Sequence, residues 1–278
     1  MTGLGMTLVR GALTSPFKRA GRTGATLPDR REVLPPARVA PGPLAAYSGI
    51  CGFAASDVLP LTYPHVLGFP LAMRLMTARD FPLPVLGLVH TWIEITSHRP
   101  LHPADEPELT VYAAGLTPHR RGTEVTVVTE ARLADELVWE SRSGYLSRHA
   151  TTADSPAAPS SPPQELPAVA EWRLPAGLGR RYGAASGDRN PIHLHPVTAK
   201  LFGFPRHIAH GMWTLARCLA EAERRSGPGA RGRIRSVRAD FKAPVLLPST
   251  VTYATDGDAF QLRGGSRTHL TGRTVRED

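Results

Sequence analysis

Apolar residues recur at helical spacing in one stretch of this 278-residue chain and alternate with polar ones in several others. From Gly211 to about Arg225, the residues Met212, Leu215, Ala216, Leu219 and Ala222 fall three or four apart, which puts them on one face of a helix. Ser226-Gly227-Pro228-Gly229 stops that helix. Val237, Ala239, Phe241 and Ala243 then alternate with polar residues, as in a half-buried strand, and Thr250–Thr255 and Phe260–Arg263 read as further strands. Upstream, Val89, Thr91, Ile93 and Ile95 alternate with His90, Trp92 and Glu94. Leu109–Leu116, Thr123–Leu133 and Leu137–Ser147 follow as strands, the last two forming a hairpin about Ala134-Asp135. Pro196 suits the first turn of a short helix that Gly203 can end. Helix and antiparallel strands, met twice, predict an α+β fold.

The chain divides into four segments. Residues 1–35 are basic and weakly periodic and are expected to form an extended arm on the surface. Residues 151–168, TTADSPAAPSSPPQELPA, can bury little and read as a linker. It separates two halves, 36–150 and 169–278, that look like repeats. A shift of 135 residues sets Tyr47 on Tyr182 and Gly52 on Gly187, and Gly68-Phe69-Pro70 on Gly203-Phe204-Pro205. Arg99-Pro100-Leu101 resembles Lys242-Ala243-Pro244-Val245 if the second half carries an insertion.

Composition narrows the classes. A hydrophobic content of 41% is ample for a core. Cys51 and Cys218 stand far apart and lack partners at metal-ligand spacing, so both read as small buried residues of a protein in a reducing compartment. No apolar run approaches the roughly 18 residues a membrane span needs, and a cytoplasmic protein is expected. The net charge is +9, but arginine supplies 30 of the 33 basic residues, a skew that GC-rich coding would produce. Attraction of phosphates or of an acidic carrier is the functional alternative. Nucleic acid is not expected as a partner, because zinc-finger spacing, an aromatic RNA-binding signature and a compact basic helix are all missing from the sequence.

The chemistry concentrates between Tyr182 and Met212, YGAASGDRNPIHLHPVTAKLFGFPRHIAHGM. Asp188 stands five residues before His193, and Pro191 stiffens the loop between them and biases Asn190 toward an extended shape. A carboxylate and an imidazole facing one small volume can share proton transfer. His210-Gly211 opens the long helix, where the first N–H groups lack internal partners and a glycine lets a ligand come close to the backbone. An enolate oxygen would be stabilised there. His193, His195, His207 and His210 could suggest a metal site, but they span several predicted elements, and no metal is expected.

SGDRNPIH followed by IAHGM resembles the MaoC-like hydratases, also called the hydratase 2 type of enoyl-thioester hydratases. The resemblance is strong over about 30 residues and extends, through Phe241-Lys242-Ala243-Pro244-Val245 and the two-half arrangement, over 36–278. It implies a double hot-dog fold, two tandem antiparallel sheets each wrapping a central helix. It also implies reversible syn hydration of a trans-2-enoyl thioester to an (R)-3-hydroxyacyl thioester. Asp188 and His193 match the catalytic pair, with the division of proton work between them left open. Gly211 matches the helix start facing the thioester carbonyl, with Asn190 and His210 beside it in the substrate-binding set. Arg189 and Arg206 are candidate phosphate contacts or solvated surface charge. The resemblance implies no organic cofactor, only an acyl chain carried on coenzyme A or acyl carrier protein, in a monomeric double hot-dog or a homodimer. In the 135-residue frame the first half has Phe53 in place of Asp188, Val58 in place of His193 and Met76 in place of Gly211, so one active site per chain is expected, with the first half as its pseudo-symmetric partner and room there for a long acyl tail. A hot-dog thioesterase or a non-catalytic acyl-binding subunit are the competing readings.

Overall fold

The computed structural model describes residues 25–151, 165–226 and 232–277. Residues 1–24 of the basic arm, 152–164 of the linker and the Gly227-Pro228-Gly229 stop lie outside the described residues.

The first half runs β1 (Arg31–Leu34), α1 (Pro41–Cys51), α2 (Tyr63–Thr77), β2 (Val89–Ser97), β3 (Glu108–His119), β4 (Gly122–Leu133) and β5 (Glu136–Arg148). The second runs β6 (Ala168–Leu174), α3 (Leu178–Ser186), α4 (Pro191–Leu194), α5 (Pro196–Leu201), α6 (Gly211–Ser226), β7 (Ile234–Phe241), β8 (Ser249–Asp256), β9 (Ala259–Gly264) and β10 (Arg267–Arg276). The sheet order β1-β3-β4-β5-β2-β7-β10-β9-β8-β6 reads the same from both ends once each strand of one half is exchanged for its counterpart in the other. The two expected sheets are therefore two five-stranded halves of one antiparallel sheet, joined where β2 pairs with β7, Ile93 opposite Ala239. The end of the expected surface arm is extended as β1, an edge strand with Val33 opposite Thr110.

Each half bends around its central helix. Leu215, Cys218 and Leu219 of α6 are fully buried, as are Ile93 and Ile95 of β2 and Leu262 of β9, while Glu94 between the two isoleucines is exposed. Burying one such aliphatic side chain contributes roughly 1.5–3 kcal/mol. Both cysteines lie in this core as free thiols. The hairpin turn falls at Ala134, whose φ of 50° is unusual for a residue other than glycine.

The ungapped 135-residue frame holds through the first helix and then fails, although the order of elements continues to repeat. Gly52 and Gly187 both end their helices in the left-handed region, at φ 84° and 80°, and Tyr47 packs on Tyr182 with ring centroids 6.1 Å apart. Beyond that point the central helix starts 11 residues later in the first half (52 to 63) but 24 later in the second (187 to 211). Gly68-Phe69-Pro70 thus lies inside α2, whereas Gly203-Phe204-Pro205 lies in the loop after α5, and the match between them is not structural. Gly68 has its own cause: a Cβ there would stand 2.8 Å from Thr129 Cγ2 of β4. Likewise Met76 lies in the last turn of α2 while Gly211 begins α6, and Val58 has no counterpart in the segment that carries His193. The first half lacks that segment altogether.

Candidate active site

Asp188 follows directly on Gly187, so the left-handed turn that ends α3 aims it. Its N–H donates to Ser186 Oγ at 3.2 Å, and Ser186 Oγ donates to Tyr182 O at 2.9 Å. Asp188 Oδ1 accepts from the Asn190 N–H at 3.1 Å. Asn190 then caps α4, its side-chain oxygen accepting from the Ile192 N–H at 3.3 Å with Pro191 in the first helical position. The asparagine thus orders the loop. One turn of helix is enough to turn His193 inward.

His193 is 8% exposed. Its Nδ1 lies 2.8 Å from the Ile208 carbonyl, which can only accept, so Nδ1 carries the proton and Nε2 keeps a free lone pair. Ile208 N–H in turn donates to Ile192 O at 3.1 Å. The 207–209 segment is pinned from its other side by Ala209 N–H to Val245 O at 2.9 Å and Leu247 N–H to His207 O at 2.9 Å. His210 stacks on His193 at 3.7 Å between centroids and donates Nε2–H to the Asp188 carbonyl at 2.9 Å. Asp188, His193 and His210 offer polar atoms all within 4.8 Å of one another. Gly211 follows His210 and begins α6, with Phe241 so close that a Cβ would stand 3.1 Å from its ring.

Burial sets the protonation states. Desolvation, then the neighbouring His210, pushes the His193 pKa down to about 3, against the pull of Asp188. Desolvation lowers His210 to about 4. The same burial raises Asp188 above the ordinary carboxylate value, with His193 and the Asn190 N–H working the other way. At neutral pH the His193 imidazole is therefore uncharged.

Not every predicted residue joins this group. His195 accepts from the Val197 N–H at 3.2 Å and caps α5, and His207 donates Nε2–H to Ala176 O at 2.7 Å. Of the four histidines considered as a metal set, only His193 and His210 meet, and each already donates one ring N–H to a carbonyl. Arg189 is exposed beside Asp188, and Arg206 donates to Pro248 O at 3.3 Å.

Two features were not foreseen. Gly179, Gly183 and Gly187 recur every four residues along α3, and they let the active-site loop lie against the helix backbone. A Cβ on Gly183 would stand 2.6 Å from Asp188 O, and one on Gly179 would run into His193 O. Gly183→Ala is expected to displace the Asp188 carbonyl that holds His210 and to lower kcat by about 10-fold or more while the cooperative melt survives. Turnover unchanged beside a normal melting curve would refute that account. The spacing of the glycines was visible in the sequence. The second feature comes from the other half. Phe241 faces His90 of β2 at 4.7 Å, and His90 stacks on Tyr145 of β5 at 4.6 Å. Burial first, and the charge of Asp188 as well, hold the Tyr145 hydroxyl above the usual tyrosine value, which puts the first half within electrostatic reach of the site. Only the pairing of β2 with β7 brings these residues there.

Residues 168–272 match the model of the MaoC like domain. Over 237 residues the chain is 38% identical to 3-hydroxyacyl-thioester dehydratase X of Mycobacterium tuberculosis, covering 84% of this chain and 82% of that one. The crystal structure of HtdX from Mycobacterium tuberculosis superposes with a TM-score of 0.75 at 37% identity, over 91% of this chain and all of that one. A Mycobacterium tuberculosis protein described as having a double hotdog fold superposes with a TM-score of 0.52 at 16% identity, over 91% of this chain and 98% of that one, a likeness of fold alone. The chain belongs to the MaoC-like dehydratase family.

Proposed function

We propose that this chain is a hydro-lyase of fatty-acid metabolism that interconverts trans-2-enoyl thioesters and (R)-3-hydroxyacyl thioesters, acting in one direction as a 3-hydroxyacyl-thioester dehydratase. The observation that carries this reading is the free Nε2 of a neutral His193 beside the Asp188 carboxylate, next to the unpartnered first N–H groups of α6.

In hydration, one water sits between Asp188 and His193. His193 Nε2 takes a proton as the water oxygen bonds to the β carbon, and Asp188 accepts from the remaining O–H and stabilises the imidazolium. Electrons of the double bond move to the thioester oxygen, which the N–H at Gly211 and the helix dipole stabilise. The imidazolium returns its proton to the α carbon on the same face, which makes the addition syn. The thioester itself acidifies the α position, so the reading calls for no cofactor. The mobile groups all belong to the second half. The first half contributes His90, whose ring lies against Phe241, and Tyr145 stacked on it.

Incubation with crotonyl-CoA separates this from thioester cleavage. Loss of the conjugated absorbance without release of thiol is the expected result. Thiol release in step with absorbance loss would make the chain a thioesterase, and silence with enoyl groups on either carrier would make it a binding subunit.

A further inference from the structure

The segment that carries His193 has an outer face unlike a solvated surface. On α5, Val197 is 61% exposed and Leu201, four residues on and so on the same side, is 79% exposed. Phe202 at the end of that helix is 39% exposed. An aliphatic pair and a phenyl ring exposed together on one short helix form an apolar strip of the kind that marks an interaction site. The helix is fixed to the catalytic loop: Thr198 Oγ1 donates to Pro191 O at 2.7 Å, and His195 is all that separates it from α4.

The border of this apolar strip is cationic. Arg180 donates to Leu194 O at 3.1 Å, Lys200 lies on α5 itself, and Arg189 and Arg206 flank the segment, all four exposed. From Trp172 to Ala220 the one carboxylate in the sequence is Asp188, inside the site. Among the described residues these four cations form no ion pair with a carboxylate.

We infer that α5 and its border are the docking face for a small acidic carrier protein, which delivers the acyl group on a phosphopantetheine arm to Asp188 and His193. This rests on the dehydratase reading above. The cations alone would serve coenzyme A equally well, because both carriers are anionic. The apolar strip separates them: the nucleotide end of coenzyme A offers phosphates and one base, whereas a carrier helix with acidic edges and an apolar centre covers Val197, Leu201 and Phe202 and meets the arginines at once.

The test compares a crotonyl group on an acidic bacterial acyl carrier protein with crotonyl-CoA, using the full chain and the variants Leu201→Glu and Val197→Glu. Both positions are exposed, so the fold should tolerate them. The expected result is a fall in kcat/KM of about tenfold or more with the carrier protein, expressed in KM, and a change of less than about twofold with crotonyl-CoA. Added salt should weaken the carrier reaction more than the coenzyme A reaction. Equal losses on both substrates, or no loss on either, would overturn the docking face while leaving the dehydratase reading standing. Failure of the unmodified chain to hydrate either substrate would instead remove the dehydratase reading itself.

Discussion

Asp188→Asn is expected to lower the hydration rate by on the order of 10²–10⁴-fold with little change in folding. The amide oxygen can still accept from the Asn190 N–H that Asp188 Oδ1 now holds at 3.1 Å, so the loop keeps its shape. What is lost is the charge that stabilises imidazolium. His193→Ala should cost a similar factor but is the less clean experiment, because it strands the Ile208 carbonyl now receiving Nδ1–H at 2.8 Å, a buried loss of about 1–3 kcal/mol. The double variant should be no slower than the worse single one, since the two groups act on one water. Steady-state rates paired with melting curves decide the matter. Near-normal turnover by Asp188→Asn would end the assignment.

Acid should unfold this protein far more readily than its charge suggests. Burial holds His65 and His210 at about 4, and His90 and His193 at about 3. An unfolded histidine titrates near 6.5. Between the folded and unfolded values the unfolded chain binds more protons, so stability is full above about pH 6.5 and is lost as pH falls toward the folded values. At pH 5, about 1.5 units below the unfolded value at about 1.36 kcal/mol per unit, each histidine costs about 2 kcal/mol. Four of them approach the 5–15 kcal/mol that a whole fold commands. Asp188 and Glu223, both raised by burial and Glu223 to about 7, work in the opposite sense and offset a part. Denaturant unfolding at pH 7.5 and pH 5 measures the difference directly. His90→Phe keeps the ring between Tyr145 and Phe241 and removes one titrating group, so its stability should fall less between the two pH values. A fold equally stable at both would contradict this account of the histidines.

Local chemistry was legible in the sequence, and long-range placement was not. The helix over Gly211–Ser226 and the hairpin about Ala134 follow from apolar spacing and turn residues, because both depend on neighbours in sequence. The Asp188–His193 loop was legible for the same reason. α1, α3 and α2 were not: α1 and α2 carry apolar residues on most sides, so they show little periodicity, and α3 hides its face behind glycines that a loop covers. Gly-Phe-Pro is no guide to the repeat, since the identical tripeptide is mid-helix in one half and loop in the other. The length of the inserted segment, set by Gly52 to Tyr63 against Gly187 to Gly211, needed the helix starts. The approach of His90 and Tyr145 to Phe241 needed the pairing of strands from different halves.

The join between β2 and β7 also bears on aggregation. Two separate five-stranded sheets would expose four strand edges, each a template for pairing with another molecule. Fusion leaves two. One is β1, four residues long and bearing Arg31 and Glu32, and the other is β6, where Glu171 and Arg173 are exposed. Short, charged edges of this kind resist edge-to-edge stacking. Each half thus protects the other, by occupying the strand edge that its partner would otherwise leave open to pairing.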